Sequence, residues 1–316
     1  MSAFSSWAGG WRRVRRSPVL VLVLWLATIA VTIPPALVLR QEMRTHLGES
    51  LASDAATDGV NYEWWQEIRK SASPLGQTLR TDVIGFATVM DNASGLADMT
   101  PRAMPLISAG AVFILLVWFI TPGIIHRLAT DAPPARRGLV AVSGTFAGRM
   151  LRFGLVSSVV YGVLFGSLHA WLFDELFDTL THNLTVERTA FVIRLGLYLA
   201  FFALVAGVNL LFDIAKVRLV VEDRHSVLAA INAGARFIGA NPALAIGAYA
   251  LNVMSFALVI AAYALVAPGA ATGMWAAFAV GQAYIAGRVA VKVAFWAGAV
   301  DALQRAFHCP GFVRTA

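Results

Sequence analysis

Read as a pattern of apolar and polar positions, the chain alternates long oily runs with short polar breaks. Apolar runs of membrane-crossing length occupy about residues 18–39, 106–125, 153–172, 189–212, 243–266 and 274–296, because an α-helix needs about 20 apolar residues to cross the hydrocarbon core. The pattern predicts an all-α fold, a six-helix transmembrane bundle forming a single integral membrane domain over 1–316. Residues 40–105 interrupt it as an ordered helical extracytoplasmic insertion, and residues 213–242 as a cytoplasmic amphipathic elbow.

Two helices are expected inside the insertion. One carries NYEWWQEIRK, capped by Asp58 or Asn61, with Glu63 and Glu67 one turn apart and Tyr62, Trp64 and Trp65 as aromatic surface. The other starts at a Thr81 cap and repeats Val83, Phe86, Ala87, Met90, Ala93 and Ala97 at helical spacing. Tyr62, Trp64 and Trp65 read as an interfacial belt or packing anchor, with an outer-face ligand platform as the other possibility. In the first span, Pro34 and Pro35 are expected to kink or end the helix. In the third, Gly162 and Gly166 form a small-xxx-small pair that lets another helix approach.

The elbow carries the densest charge. Asp213 with Lys216, and Arg218 with Glu222, sit at helical spacings and read as a solvated extension of the fourth helix. Ser226 is placed to cap a second helix whose stripe is Val227, Leu228, Ile231, Ala235 and Ile238, and Pro242 suits the first turn of the fifth span.

Composition sharpens this picture. The chain is 58% hydrophobic and only 14% charged, with a mean hydropathy of +0.69, which excludes an ordinary soluble domain. A formal charge of +7 raises nucleic acid as a partner, but the arginines are scattered in short loops beside apolar runs, so no nucleic-acid partner is expected. With the amino terminus inside, 17 of the 25 Lys and Arg residues fall on the cytoplasmic side, which places both termini there. Arg12, Arg13, Arg15 and Arg16 before the first run resemble a signal n-region, yet the run is too long and lacks a small-x-small cleavage site, so it reads as an uncleaved anchor. Trp7 and Trp11 belong at headgroup depth. Abundant alanine and arginine suggest a bacterial inner (plasma) membrane.

Chemistry is sparse. There is no HExxH, GxSxG or P-loop, so no catalytic or cofactor-binding residue is assigned and no cofactor is expected. Cys309 is the single cysteine, and His169, Asp174, Glu175 and His182 fit no ligand spacing, so no metal is assigned either. Arg288 and Lys292 lie one turn apart in the inner half of the last span, where long side chains snorkel toward headgroups. With Arg218, Arg224 and Arg236 they are the candidate contacts to anionic lipid or a partner. Asn209, Asn252, Ser255 and Gln282 read as interhelical hydrogen-bonding groups.

The elbow also carries a resemblance. Asp213-x-Ala215-Lys216-Val217-Arg218, then Val221-Glu222-Asp223-Arg224, Ala230, Gly234, Arg236-Phe237 and Asn241-Pro242, resemble the cytoplasmic connection of uncharacterised bacterial multi-span proteins. These include the group named after the membrane domain of glycerophosphodiester phosphodiesterases. The resemblance covers the last four spans and implies no catalytic site, since the phosphodiesterase activity belongs to a soluble barrel this chain lacks. Ala229-Ala230-x-x-x-Gly234 also resembles the coupling helix of transporter permeases, with Leu228 where that signature has glutamate.

The expected function is non-enzymatic: binding or moving a lipid or another membrane component, or scaffolding a protein partner or second copy. A permease-like subunit docking a cytoplasmic partner through 213–242 is the alternative. A membrane-embedded enzyme using the outer His and carboxylate group is the third reading.

Overall fold

The computed structural model describes residues 2–47, 62–78, 85–130, 138–269 and 272–306. The ten helices among these residues are α1 (Ala3–Arg16), α2 (Val19–Leu47), α3 (Tyr62–Ser71), α4 (Phe86–Ala97), α5 (Met104–Ala129), α6 (Leu139–Thr181), α7 (Glu187–Val221), α8 (Val227–Ala240), α9 (Pro242–Val266) and α10 (Met274–Ala306). A short 3-10 turn follows α3 at Gly76–Thr78. No strand occurs among the described residues. Six helices, α2, α5, α6, α7, α9 and α10, are long and apolar enough to cross a membrane. The all-α, six-helix membrane bundle is therefore realised.

The helix ends follow local chemistry. Ser2 caps α1 by accepting from Ser5 N, and Ser226 caps α8 by accepting from Ala229 N. Pro242 opens α9, where its missing N–H has no intrahelical partner to lose. The helix α2 continues through Pro34 and Pro35 to Leu47, beyond the predicted stop. Two π-helical turns, Val163–Leu168 and Trp171–Leu176, carry the third span on as one apolar helix to Thr181.

The chain forms two compact units. One holds residues 1–17, 118–254 and 292–316, and the other residues 18–117 and 255–291.

In the first unit, α8 lies along the end of α7. At about 1.5 Å per residue, the 35 residues of α7 far exceed the ~30 Å of bilayer hydrocarbon. The overrun is sheathed by protein, not water: Phe212 to Ala215 and Val217 to Val221 are all buried. The reading of 213–222 as a solvated extension is thereby corrected.

The packed face of α8 also differs from the predicted stripe. Val227, Ala230, Ala233, Gly234 and Phe237 are buried, whereas Leu228 is 68% exposed and Ala235 is exposed. A methyl on Gly234 would sit 3.4 Å from Ala215 N, so α8 and α7 approach backbone to backbone. Close approaches elsewhere use Gly154 under the Trp118 ring, Gly123 against Leu139 and Ser143, and Gly10 against Ala294 and Gly298. Gly162 and Gly166, the predicted small-xxx-small pair, have nothing within 4 Å of where a side chain would grow. That expectation is overturned.

In the second unit, Trp25 Nε1 donates to Gln282 Oε1 at 3.0 Å, joining α2 to α10. The rings of Tyr263 and Tyr284 stack at 4.3 Å between α9 and α10. Of the insertion helices, α3 is as predicted from Tyr62, while α4 begins at Phe86, with the expected Thr81 cap and Val83 outside the described residues. No residue of α4 is buried.

Candidate functional site

The first unit gathers charge that its apolar helices must hold. Asp213 on α7 is 1% exposed and receives three donors. Lys292 Nζ donates to Oδ2 at 2.6 Å, and Lys216 Nζ and Trp296 Nε1 donate to Oδ1 at 3.1 and 3.3 Å. Helical spacing explains the arrangement: Lys216 stands one turn from Asp213 on α7, and Lys292 and Trp296 stand one turn apart on α10. Aromatic faces complete the cluster. Lys216 Nζ lies 5.8 Å from the Phe153 ring centre, and Lys292 Nζ lies 5.4 Å from that of Trp296 and 5.8 Å from that of Phe295.

The charges do not cancel. Two lysine amino groups face one carboxylate in this cluster, one basic group more than the acid can match. A buried ion pair is tolerable because each partner offsets the other's desolvation, whereas an unmatched ion costs several kcal/mol. The excess charge has an outlet, since the Lys292 side chain is 42% exposed against 18% for Lys216.

A ladder of rings leads from this cluster along α6 and α7. Phe153 meets Phe212 edge-on, Phe212 meets Tyr161, and Phe165, Phe201, His169, Phe173 and Tyr198 follow at centroid distances between 4.4 and 6.4 Å. His169 is a buried member of that ladder. His182 Nδ1 faces Thr179 O of its own helix at 2.9 Å. Among the described residues, no group of three or more His, Cys, Asp or Glu side chains converges as a metal site would require.

Two further charge groups are structural. Arg13 donates to Leu128 O at 2.6 Å, to Gln304 Oε1 at 2.8 Å and to Asp301 Oδ1 at 3.3 Å, while Gln304 Nε2 donates to Ala129 O at 2.9 Å. Together they satisfy the carbonyls at the end of α5, where a cation also complements the helix dipole. At the turn between α7 and α8, Arg218 donates to Glu222 Oε1 at 2.6 Å and to Ala233 O. Arg224 binds the other oxygen of Glu222, and Arg149 of α6 binds Asp223, which holds a left-handed φ of 48°.

The predicted contact residues therefore separate. Arg218 is buried as a clamp between α7 and α8, and Arg224 is engaged by Glu222. Arg236 is exposed. Lys292 pairs with Asp213 while its side chain stays 42% exposed. Arg288 is exposed and lies over the Tyr284 and Phe256 rings at 5.4 and 5.8 Å. Tyr62 and Trp65 lie 5.9 Å apart with Arg69 over the Trp65 ring at 4.9 Å, while the side chain of Trp64 is outside those described. Asn209 Nδ2 meets Tyr249 OH at 3.4 Å, as expected of an interhelical group, whereas Asn252 donates to Ala248 O of its own helix.

Trp296, Asp301 and Gln304 carried no sequence signal that singled them out, and Arg13 stood only as one of four arginines before the first apolar run. For Asp213 the spacing to Lys216 was silent, and the available signal lay in its neighbours: Ile214, Ala215, Val217, Leu219, Val220 and Val221 put apolar residues on every face, the pattern of a buried helix.

Fold and charge cluster define the class, a multi-span all-helical membrane protein with ionic groups held inside its helical bundle. Comparison of the chain with protein-family models, curated proteins and solved structures finds no match in any of the three.

Proposed function

We propose that this is a non-enzymatic protein of the bacterial inner membrane that binds an anionic lipid headgroup at the Asp213, Lys216 and Lys292 cluster, and so retains or helps move that lipid. The observation carrying this reading is the unmatched positive charge, with Lys292 as its exposed donor. In a bilayer the abundant partner for such a charge is a lipid phosphate, which accepts the N–H donors of the lysine that Asp213 leaves unused and balances the charge that one carboxylate does not. The unit that holds the cluster also exposes Arg12, Arg15, Arg16, Arg152 and Arg236, cations suited to an anionic cytoplasmic leaflet. Both termini on the cytoplasmic side follow from the same charge bias.

The family resemblance supports the architecture within this reading. Its residues pack as one module: Ala215 against Gly234, Arg218 on Glu222, Lys216 on Asp213. The residues that resemble the permease coupling helix, Ala230 and Gly234, are spent on packing against α7.

The test is thermal unfolding in nanodiscs of defined composition. Wild type should melt higher in phosphatidylglycerol than in phosphatidylcholine discs, by about 2–4 °C for each kcal/mol of lipid binding. In Lys292→Gln that difference should largely vanish. Equal melting of wild type in both discs, or an undiminished difference in the variant, would overturn the proposal.

A further inference from the structure

The helix α4 of the second unit buries none of its 12 residues, yet its sequence has two distinct faces. At helical periodicity Phe86, Val89, Met90, Ala93 and Leu96 fall within one arc of about 120°, and Thr88, Asp91 and Gly95 lie on the opposite side.

The rest of the chain treats these faces differently. Arg102 turns back onto the polar one: Nη1 donates to Asp91 Oδ2 at 3.2 Å and Nη2 to Asp91 O at 3.1 Å, and the guanidinium lies where a side chain on Gly95 would grow. The apolar face has no such cover. Met90 is 57% exposed, Leu96 is 51% exposed, and Ala93 is exposed between them.

Both ends of α4 are tied to the ends of spans. At its start Gly85 holds a positive φ of 60° and packs so closely on Pro268, just past the end of α9, that a methyl there would collide with Pro268 O. At its other end Thr100 N donates to Gly95 O at 3.0 Å, and α5 begins at Met104. Exposed apolar side chains run to the last turn of α9, at Leu265 and Val266, and from the first turn of α5, at Met104, Leu106 and Ile107. Hydrocarbon therefore reaches both of these ends, and a helix pinned to each of them lies at the depth where acyl chains meet headgroups.

We infer that α4 lies in the plane of the membrane on the side where α9 ends and α5 begins, with its Met90, Ala93 and Leu96 face set into the acyl-chain boundary of that leaflet. This face continues the lipid-contacting surface of the two spans. The contact is with acyl chains and not with headgroup charge: α4 contains no Lys or Arg, and its one carboxylate, Asp91, is paired with Arg102. An interfacial helix of this composition is held by its buried apolar area. None of its residues belongs to the lysine cluster, and the inference does not depend on lipid binding there.

Spin labelling of the full chain in nanodiscs tests the inference. Cys309→Ser removes the native thiol, and Ala93→Cys or Thr88→Cys carries a nitroxide on the apolar or the polar face. Collisions with oxygen, which concentrates among acyl chains, are compared with collisions with a water-soluble nickel chelate. In phosphatidylcholine nanodiscs the oxygen-to-nickel ratio should be several-fold higher for the Ala93→Cys label than for the Thr88→Cys label, and mixing in phosphatidylglycerol should leave it unchanged. Equal ratios at the two positions would overturn the inference. So would shielding of the Ala93→Cys label from both reagents, the result that a second copy or a protein partner on this face would give. A difference that appears only with phosphatidylglycerol would overturn it as well, by assigning the contact to headgroup charge.

Discussion

Replacing Asp213 with alanine should be the most damaging single change in this protein. The carboxylate is the common acceptor of Lys292, Lys216 and the Trp296 indole, so its loss leaves two cations and one N–H without their partner. Removing one member of a buried ion pair costs about 3–5 kcal/mol, a large share of the roughly 5–15 kcal/mol that holds a typical fold. Asp213→Ala should yield little monodisperse protein in mild detergent, and what survives should unfold well below wild type. Asp213→Ala combined with Lys216→Met and Lys292→Met should recover much of the loss, because apolar side chains of similar volume remove the orphaned charges as well. Wild-type unfolding of the single variant would show that the carboxylate does not hold these elements together.

A methyl group at Gly10 should detach α1. There it would meet Ala294 O at 2.5 Å and Gly298 N at 2.8 Å, both backbone atoms of α10 that no rotamer change can move. Inserting one carbon into a packed contact costs about 1–3 kcal/mol, and the displacement also draws Arg13 away from Leu128 O, Asp301 and Gln304. Gly10→Ala should lower the unfolding temperature and raise the labelling rate of a cysteine placed at Ser6, which is fully buried against α10 in the wild type. Unchanged labelling and unfolding would contradict the backbone-to-backbone contact.

The spans were legible because hydrocarbon thickness sets a length that hydropathy can measure. The Ser226 cap and Pro242 were legible because capping is a local matter of one side chain and the next turn. The face of α8 was not. Leu228, Ile231 and Ile238 form one apolar stripe and Val227, Ala230, Gly234 and Phe237 another, so hydropathy alone could not rank them. Where lipid tails are as apolar as leucine, the packed face is chosen by small residues that let backbones meet, and the large aliphatic side chains turn outward. Asp213 and Lys216 misled for a related reason. A charged pair one helical turn apart looks the same in sequence whether it faces water or a third residue 79 positions away, as Lys292 is.

Native mass spectrometry of the protein extracted with its own lipid bears most directly on the lysine cluster as an anionic lipid site. The account predicts that an anionic phospholipid stays bound to wild type at collision energies that strip zwitterionic lipid, and that Lys292→Gln sheds it. Bare wild-type protein, or anionic lipid held equally well by the variant, would contradict it.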